Sequence, residues 1–465
     1  MKLTVLGGGG FRVPLVFGAV LGDGLIDEFR LYDPDRRRLD VIEHVLRQMA
    51  DKQLAGGQLA GQGPPVTVTS TTRLEEALPG SDFIFSAIRV GGAAGRVADE
   101  RAALGLGLLG QETTGPGGIA FALRTIPVAL RIAGQVARLA PGAFVINFTN
   151  PAGIITEAMQ RVLGDRVIGI CDTPSNLVRR LAALTGAADD AVRLDYVGLN
   201  HLGWLRRATY QGRDLVAGIL ADAGRLDELE ETHLFGADWL QSLGMIPNEY
   251  LYYYYNTHDA ITAINRNPQT RGEFLHEQQQ RFYERVSAHP ESALTAWRKT
   301  KDERETTYMS EARGTDRDER AGTERAGTEQ AGTQQAGTEG GGYEAVALRV
   351  MRAVALNQPA TMILTVRNGP VLAALPPEAV IEVPTLIDAA GARPLAVEPP
   401  ALAELGLMQQ VKAVEQLTIA SVVEGRRDLA RKALALHPLV DSTGRADELL
   451  RRYERNTPGL FTLVD

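Results

Sequence analysis

The segment that decides the fold is MKLTVLGGGGFRVP at residues 1–14, which FRLYD follows at residues 29–33. Leu3–Leu6 is a short apolar strand candidate, glycines follow it directly, and a helical run begins near Pro14. Glycines let the backbone approach a pyrophosphate, and a helix N-terminus supplies amide donors to it. Asp33 ends the second strand candidate, where a carboxylate accepts hydrogen bonds from adenosine ribose hydroxyls. We therefore predict a bound dinucleotide, with contacts from Gly7, Gly8, Gly9, Gly10 and Asp33.

The dinucleotide motif departs from its usual form at one position, because Arg12 stands where the third glycine is expected. Arginines at 36–38 could favour NADP, but Asp33 at the strand tip would repel the 2′-phosphate, so we expect NAD. A glycine run alone also occurs in tight strand–helix turns for steric reasons. The strand before it, the helix after it and the acid at the right distance together favour dinucleotide binding.

Strand candidates alternate with amphipathic helical periods through the first 171 residues. The candidates are Leu3–Leu6, Phe29–Tyr32, Val66–Ser70, Phe83–Ile88, Phe144–Asn147 and Val167–Cys171. Helical periods such as Leu39–Gln53 and Ile126–Leu139 lie between them. This alternation predicts a Rossmann-type, doubly wound parallel sheet with helices on both faces. We expect an NAD-binding domain over residues 1–195.

The second predicted domain, residues 196–465, is a C-terminal α+β domain for substrate binding, as in lactate and malate dehydrogenases. Its pattern is mixed, with a charged helical stretch at Asp222–Leu234, helices at Tyr343–Leu356 and Gly406–Glu424, and a strand at Val380–Pro384. Residues 314–342 repeat Ala-Gly-Thr-x-x and contain no large apolar side chain before the helix that follows. We expect this stretch to be a flexible, solvated loop.

Composition limits the possible functions. The 465 residues include 49 Lys and Arg against 57 Asp and Glu, and the net charge of −8 argues against a nucleic-acid-binding face. A single cysteine excludes an intramolecular disulfide, which fits a reducing compartment. The N-terminal apolar run is too short for a signal peptide, and we found no uninterrupted apolar run long enough for a membrane helix. We therefore expect a soluble, cytoplasmic protein.

Cys171 and His201 follow two successive apolar runs, in GICDTP and GLNHLGW. Because strand C-termini meet at the cleft of an open α/β sheet, a thiolate and an imidazole there could hold a divalent metal and leave positions for substrate oxygens. Either residue alone is more often an inert buried side chain. Two polar segments, Asn147–Asn150 and Gly110–Gly118, are further cleft candidates. Tyr250–Tyr255 contains five tyrosines, which are more often core or interface residues than catalytic ones.

Ordered motifs along nearly the whole chain resemble family 4 of the glycoside hydrolases, the NAD- and metal-dependent group. The motifs are VLGGGG, IRVGG followed by Arg96 and DER, GQETTGPGG, INFTNPAG, GICDTP, GLNHLGW, PNEYLYYYY, NPQTR, GLMQQVKAVEQLTI and HPLV. Gly10 replaces a serine that is common in the family, and the pentapeptide repeat replaces a segment that is ordered in relatives.

The resemblance implies roles for individual residues. It implies Cys171 and His201 as the ligands of a divalent metal, usually manganese, and Tyr250 as the catalytic base. Asp172 stands where the α-type members carry their general acid, and Glu112 where an acid raises the basicity of the tyrosine. The implied substrate-binding residues are Arg96, Asn150 and Arg271, the last as a phosphate ligand.

The implied reaction is redox-assisted hydrolysis of a 6-phosphoglycoside. NAD+ oxidises C3 of the sugar, the C2 proton becomes acidic and is removed, the aglycone leaves by elimination, water adds, and the hydride returns. The overall motif pattern favours 6-phospho-β-glucosides, giving glucose 6-phosphate, although Asp172 is the α-like residue. Family resemblance also implies a homo-oligomer, a dimer or tetramer.

Two other readings remain open from the residues. A 2-hydroxy-acid dehydrogenase would share the N-terminal architecture, but it would leave Cys171 and the GQETTG loop without a role. A non-catalytic NAD-binding sensor of sugar phosphates is the other alternative.

Overall fold

A computed structural model of the protein describes residues 1–55, 66–188, 191–307 and 342–460. Within these ranges, thirteen strands form one sheet. The strands are β1 (Lys2–Leu6), β2 (Glu28–Tyr32), β3 (Thr67–Thr71), β4 (Phe83–Ser86), β5 (Phe144–Asn147), β6 (Val167–Gly169), β7 (Arg193–Leu199), β8 (Leu202–Tyr210), β9 (Arg213–Asp214), β10 (Ile246–Pro247), β11 (Ala360–Arg367), β12 (Val380–Asp388) and β13 (Gly391–Pro394).

Strands β1–β6 are parallel and lie in the order β3-β2-β1-β4-β5-β6. This is the strand order of a dinucleotide-binding doubly wound sheet, with its topological switch point between β1 and β4. The predicted Rossmann architecture is therefore confirmed. Every side chain of β1 and β4 is buried, as expected for strands that are covered on both faces.

The rest of the sheet is antiparallel. β11 lies against β6, and the order continues through β12, β7, β8 and β10, with β13 on β12 and β9 on β8. The sheet is continuous across residue 195, and β7 spans that position. The division into domains at 195 remains a prediction.

Helices cover both faces of the sheet. In the N-terminal half they are α1 (Val13–Val20), α2 (Arg36–Ala55), α3 (Leu74–Ala77), α4 (Gly92–Leu104), α5 (Pro116–Leu139), α6 (Ala152–Leu163) and α7 (Asp172–Thr185). The middle of the chain contains α8 (Leu215–Leu220), α9 (Ala223–Asp227), α10 (Glu230–Phe235), α11 (Ala237–Leu243), α12 (Tyr252–Tyr255), α13 (Thr257–Arg266), α14 (Arg271–Ala288) and α15 (Ala293–Thr306). The last helices are α16 (Tyr343–Ala355), α17 (Leu402–Val423), α18 (Arg427–Leu436) and α19 (Thr443–Asn456).

The main hydrophobic clusters lie on opposite faces of the sheet. One joins α1 and α2 to α14, α15 and α16, and the other joins α5 and α6 to α17, α18 and α19. Helix α5 is long and apolar enough to cross a membrane by length and composition, but 61% of that stretch is buried inside the protein, as in a core helix. Both clusters therefore contain C-terminal helices packed on the N-terminal half.

Most helices and strands predicted from periodicity are present with small shifts at their ends, but the stretch Asp222–Leu234 forms two short helices, α9 and α10, and the strand predicted at Val380–Pro384 continues to Asp388. The interval around Leu39–Gln53 is α2, and Ile126–Leu139 is the second half of α5. The parallel interpretation was right for β1–β6, whereas β11 was not predicted, and it extends the sheet in the antiparallel sense. Residues 314–341 of the repeat lie outside the described residues, so the loop prediction is not tested.

Candidate active site

The glycine loop after β1 turns sharply against the neighbouring strands. Gly7 has φ +81°, and a Cβ there would lie 2.6 Å from the Ala87 carbonyl oxygen. At Gly9 a Cβ would lie 2.7 Å from Cβ of Arg38. The amides of Gly7 and Gly8 both donate to the Tyr32 carbonyl, at 2.9 and 2.7 Å. These contacts fix the loop tightly and leave no room for side chains at Gly7 and Gly9, so that the chain enters the N-terminus of α1 where a pyrophosphate would bind.

Asp33 lies at the end of β2 beside this loop. Its Oδ2 accepts a hydrogen bond from the Gly9 amide at 3.2 Å, and its Oδ1 accepts from the Asp35 amide at 3.0 Å. Burial raises the pKa of Asp33, and these amide hydrogen bonds oppose the rise. The carboxylate is therefore held at the strand tip, at the place expected for a ribose contact.

The arginines after Asp33 have partners within the protein. Arg36 pairs with Asp40 at 2.5 Å, and the Arg37 Nε donates to Ser287 Oγ at 3.4 Å. Arg38 donates to the Tyr283 hydroxyl at 3.2 Å and to the Gly9 carbonyl at 3.3 Å. Through these contacts the three arginines bond to groups of the protein and hold the loop and its neighbours together. The loop therefore fits a dinucleotide whose ribose carries a free 2′-hydroxyl rather than a 2′-phosphate.

His201 and Tyr250 form a stacked pair at the carboxyl end of β7. The centroids of their rings are 3.7 Å apart and the ring planes differ by 4°. His201 has φ +64° in the tight turn between β7 and β8, a backbone conformation that occurs mainly at functional or turn positions. Its Nδ1 lies 3.1 Å from Thr113 Oγ1, and burial lowers its pKa to about 4. The imidazole is therefore neutral at neutral pH, as a metal ligand must be.

Thr113 belongs to the Gly110–Gly118 loop, which also carries Glu112. Gln111 Oε1 accepts the Thr113 and Thr114 amides, each at 2.6 Å, and this fixes the loop before α5. Glu112 forms ion pairs with Arg89 and Arg96. Burial opposes the charged form of Glu112, but the two guanidiniums outweigh burial and hold its pKa at about 2. Glu112 is thus a carboxylate that orients arginines near the His201–Tyr250 pair.

A group of arginines lies beside Glu112, and we call Arg12, Arg89, Arg96 and Arg304 the arginine pocket. Arg96 also pairs with Glu100 at 2.6 Å. Arg304 is half-buried on α15, and the structure records no ion pair for it within the described ranges. Burial lowers the pKa of Arg304 well below its usual value, and Arg12, Arg96 and Arg89 add to this, whereas Glu112 opposes it. Two carboxylates, Glu112 and Glu100, form ion pairs with the arginines of this group.

Cys171 lies just after β6, at the N-terminus of α7, which begins with Asp172. Burial raises the pKa of the Cys171 thiol well above its usual value, and Glu382 and Asp172 add to the rise. Glu382 is a buried carboxyl on β12 that accepts hydrogen bonds from Tyr196 at 2.9 Å and from Asn200 at 3.2 Å. Burial raises its pKa to about 7. The thiol therefore lies among acidic groups, which favour a cation.

The two remaining predicted substrate residues differ in their surroundings. Asn150 follows β5, and its Oδ1 is buried without a hydrogen-bond partner in the described part of the chain. An orphaned carbonyl oxygen of this kind is what a bound ligand would satisfy. Arg271 starts α14 and donates to Thr307 Oγ1 at 2.6 Å and to the Arg304 carbonyl at 2.9 Å. These bonds direct Arg271 to the end of α15.

The predicted metal ligands Cys171 and His201 lie around one buried carboxyl, because Glu382 acts on the Cys171 thiol and accepts a hydrogen bond from Asn200, which precedes His201. Their use as metal ligands stays a prediction. Among the described residues, no group of three or more His, Cys, Asp or Glu side chains is arranged to hold a metal ion. The predicted ligands are two, Cys171 and His201, and other positions would be filled by substrate oxygens. A neutral imidazole, a thiol among acidic groups and the orphaned oxygen of Asn150 agree with such an open site.

Sequence profiles of known families match most of the chain. Residues 2–187 match the family 4 glycosyl hydrolase profile, and residues 196–440 match the C-terminal domain of family 4 glycosyl hydrolases. The chain belongs to family 4 of the glycosyl hydrolases. The family resemblance and the enzyme class, a glycosidase, are therefore confirmed.

The proteins that are similar to this chain include both 6-phospho-β-glucosidases and 6-phospho-α-glucosidases. A probable 6-phospho-β-glucosidase of Bacillus subtilis (strain 168) is 27% identical, over 100% of this chain and 99% of the relative. The 6-phospho-α-glucosidase 1 of Lacticaseibacillus paracasei is 30% identical, over 84% and 83%. A solved 6-phospho-β-glucosidase of Thermotoga maritima, with manganese, NAD+ and glucose 6-phosphate, has a TM-score of 0.77 at 24% identity and covers 98% of each chain.

Several polar residues of the site were not singled out from the sequence. Arg89 follows β4 in IRVGG, and the end of a parallel strand at the switch point is a signal that could have identified it. Arg12 was noted only as a departure from the glycine motif, yet it is one of the four residues of the arginine pocket. Arg304 and Glu382 carry no local motif, because their positions depend on helix and strand packing far along the chain.

Proposed function

We propose that this family 4 enzyme hydrolyses 6-phospho-β-glucosides to glucose 6-phosphate and the aglycone, by elimination and water addition that follow transient oxidation at C3. NAD and a divalent metal, manganese, are its cofactors. The observation that carries the phosphorylated substrate is the cluster of arginines around Glu112, which pairs with Arg89 and Arg96. The next residue, Thr113, contacts His201 of the His201–Tyr250 pair. A phosphate monoester brings about two negative charges at neutral pH, which this pocket would balance.

The chain's residues divide the chemistry among them. When bound, NAD+ supplies a reversible hydride acceptor and a divalent metal stabilises negative charge on sugar oxygens. Tyr250 takes the proton from C2, and its ring is held flat against His201. Asp172, at the N-terminus of α7, gives a proton to the departing aglycone oxygen. Cys171 and His201 would hold the metal, and Asn150 Oδ1 faces the substrate.

The phosphate subsite is built from Arg304, Arg96 and Arg89, with Arg12 beside them. Glu112 is fully ionised because its pKa is about 2, and it fixes the directions of the Arg89 and Arg96 guanidiniums. Arg271 supports the subsite through its hydrogen bond to the Arg304 carbonyl. Guanidiniums suit this task, because their planar donors match phosphate oxygens in pairs.

The 6-phospho-α-glucosides are the second candidate substrates, favoured by Asp172 directly after Cys171. Proton removal at C2 does not depend on the configuration at C1, so the same residues could act on either anomer. We place the reaction in the cytoplasm and expect a homo-oligomer.

The test compares p-nitrophenyl β- and α-glucoside 6-phosphates, with NAD+ and Mn2+ added together, singly or not at all. We expect nitrophenol release that requires both additions, faster from the β-anomer, without NADH accumulation. Faster release from the α-anomer would favour the second candidate. Stoichiometric NADH without nitrophenol would overturn hydrolysis and support a dehydrogenase, and NAD+ binding with no reaction at all would support a sensor.

A further inference from the structure

Donors from three C-terminal helices reach the backbone carbonyls of the glycine loop. The Tyr283 hydroxyl of α14 donates to the Gly9 carbonyl at 2.6 Å. Trp297 Nε1 of α15 donates to the Phe11 carbonyl at 2.9 Å. On α16, the hydroxyl of Tyr343 donates to the carbonyl of Arg12 at 3.0 Å. The loop lies in the first dozen residues of the chain, whereas the donors lie about 270 to 330 residues later.

These contacts are buried and supported by ring packing. Tyr283 is 9% exposed and Trp297 is 5% exposed. Phe11 packs edge-on against Phe282 at 5.2 Å and lies 6.2 Å from the Trp297 ring. The Arg38 guanidinium lies 4.7 Å from the centroid of the Tyr283 ring and also donates a hydrogen bond to the Tyr283 hydroxyl. The hydroxyl's own proton is therefore donated to the Gly9 carbonyl. Each donor is therefore directed at the loop backbone.

Fixing a carbonyl also fixes the amide on the same peptide plane. A peptide unit is planar, so the Phe11 carbonyl and the Arg12 N–H point in opposite directions from one rigid group. Trp297, by holding the Phe11 carbonyl, sets the direction of the Arg12 amide at the N-terminus of α1. Tyr283 likewise fixes the Gly9–Gly10 peptide, whose amide closes the turn to the Gly7 carbonyl at 2.8 Å. Amide directions in this loop determine how well it receives a pyrophosphate.

We propose that Tyr283 and Trp297 are positioning residues that hold the glycine loop in its dinucleotide-binding shape, so that C-terminal helices set the dinucleotide affinity of this chain. The proposal rests on the proposed use of NAD. It places part of the control of the nucleotide site outside the Rossmann half. Tyr283 acts through a single oxygen atom, so removing that atom tests the idea without removing the ring.

The experiment measures NAD+ and ADP-ribose dissociation constants by titration calorimetry for the full-length wild type and for Tyr283→Phe and Trp297→Phe. We expect both ligands to bind about five- to tenfold more weakly to each variant, the size expected from one lost buried hydrogen bond. ADP-ribose keeps the pyrophosphate but lacks nicotinamide, so an equal loss assigns the effect to the loop. The glucose 6-phosphate dissociation constant should stay within about twofold, which shows that α15 and its Arg304 have not moved.

Tyr453→Phe is the matched control. Tyr453 is 1% exposed on α19, and its hydroxyl has no hydrogen-bond partner within the described ranges. We expect unchanged NAD+ binding for this variant. If Tyr283→Phe and Trp297→Phe lower the unfolding temperature but bind NAD+ like the wild type, the proposal is wrong and the contacts serve stability alone. If Tyr283→Phe does not fold, Trp297→Phe decides by the same criterion. A wild type that binds no NAD+ would overturn the proposed function and this inference together.

Discussion

The glycine loop and the arginine pocket are both parts of one site, but they are built in different ways. The loop is a single stretch of backbone, Gly7–Gly10, whose amides bond within the protein. Its shape is fixed by close approach to β2 and to the segment after β4. The pocket uses charged side chains from α4, α15 and the segments after β1 and β4, separated by up to about 290 residues. The shape of the loop therefore depends on steric space, whereas ligand binding in the pocket depends on the balance of charges. Substitutions should therefore fail in different ways in the two regions.

The largest effect is expected for Tyr250→Phe, which removes the hydroxyl of the proposed catalytic base at C2. Because the ring can still stack on His201, binding should persist while kcat falls by about a thousandfold, within the usual range for loss of a general base. Steady-state kinetics and NAD+ titration measure the two parts. Tyr255→Phe is the control, because it removes a hydroxyl from the same run of tyrosines that accepts a hydrogen bond from Trp204 Nε1 at 2.9 Å and has no proposed role in proton transfer. A Tyr250→Phe enzyme with normal kcat would contradict the assignment of the base.

The arginine pocket is tested by Arg304→Gln. Loss of a guanidinium that bonds a phosphate in two places should weaken glucose 6-phosphate binding by about a hundredfold, with NAD+ affinity nearly unchanged. Calorimetric titration of both ligands gives the comparison. Arg298→Gln removes an exposed arginine from the same helix and should change neither constant. Equal losses for the two ligands would show that α15 has shifted and would remove the distinction between the regions.

The loop is tested by Gly9→Ala. The added methyl group would meet Arg38 Cβ at 2.7 Å and Asp33 Oδ2 at 3.1 Å, so the loop must move. At a typical overpacking cost of about 1–3 kcal/mol, we expect NAD+ to bind about thirtyfold more weakly and glucose 6-phosphate to bind normally. Gly134→Ala, in α5 with open space at its Cβ, is the control and should leave both affinities unchanged. Unchanged NAD+ binding in Gly9→Ala would contradict the steric account of the loop.

The smallest effect concerns pH. Between pH 5 and 8, Glu112 stays ionised because its pKa is about 2, and His201 stays neutral because its pKa is about 4. Burial raises the pKa of Glu382 to about 7 and that of Asp99 to about 6, so both take up protons as the pH falls, which removes negative charge and favours anion binding. However, the ligand phosphate, with a second pKa near 6, also takes up a proton as the pH falls. Glucose 6-phosphate binding in the presence of a chelator should weaken several-fold from pH 8 to pH 5, whereas NAD+ binding should stay flat. A loss at high pH instead would indicate a titrating protein group.

The same contrast explains what the sequence could predict. The loop, β1–β6 and Asp33 follow from local patterns, because strand, turn and helix signals lie within a short segment. The arginine pocket does not, since Arg304 reaches it only through the packing of α15. The family resemblance named Cys171, His201, Tyr250 and Glu112, and the structure brings His201 to Tyr250 and Thr113, beside Glu112. Their catalytic roles stay predictions.

Arg271 shows what a motif and the packing of a helix end each contribute. The family resemblance implies Arg271 as a phosphate ligand, which stays a prediction, and the structure shows hydrogen bonds from Arg271 to Thr307 and to the Arg304 carbonyl. A motif fixes the residue type at a position, but the partners of a long side chain depend on which helix end packs beside it.

The most direct measurement follows hydrogen at C2 of the sugar. The enzyme, loaded with NAD+ and Mn2+, is allowed to cleave a 6-phospho-β-glucoside in D2O, and the glucose 6-phosphate is examined by NMR. We predict deuterium at C2, because Tyr250 removes that proton before the aglycone departs. Full-speed cleavage that leaves the original hydrogen at C2 would contradict the account.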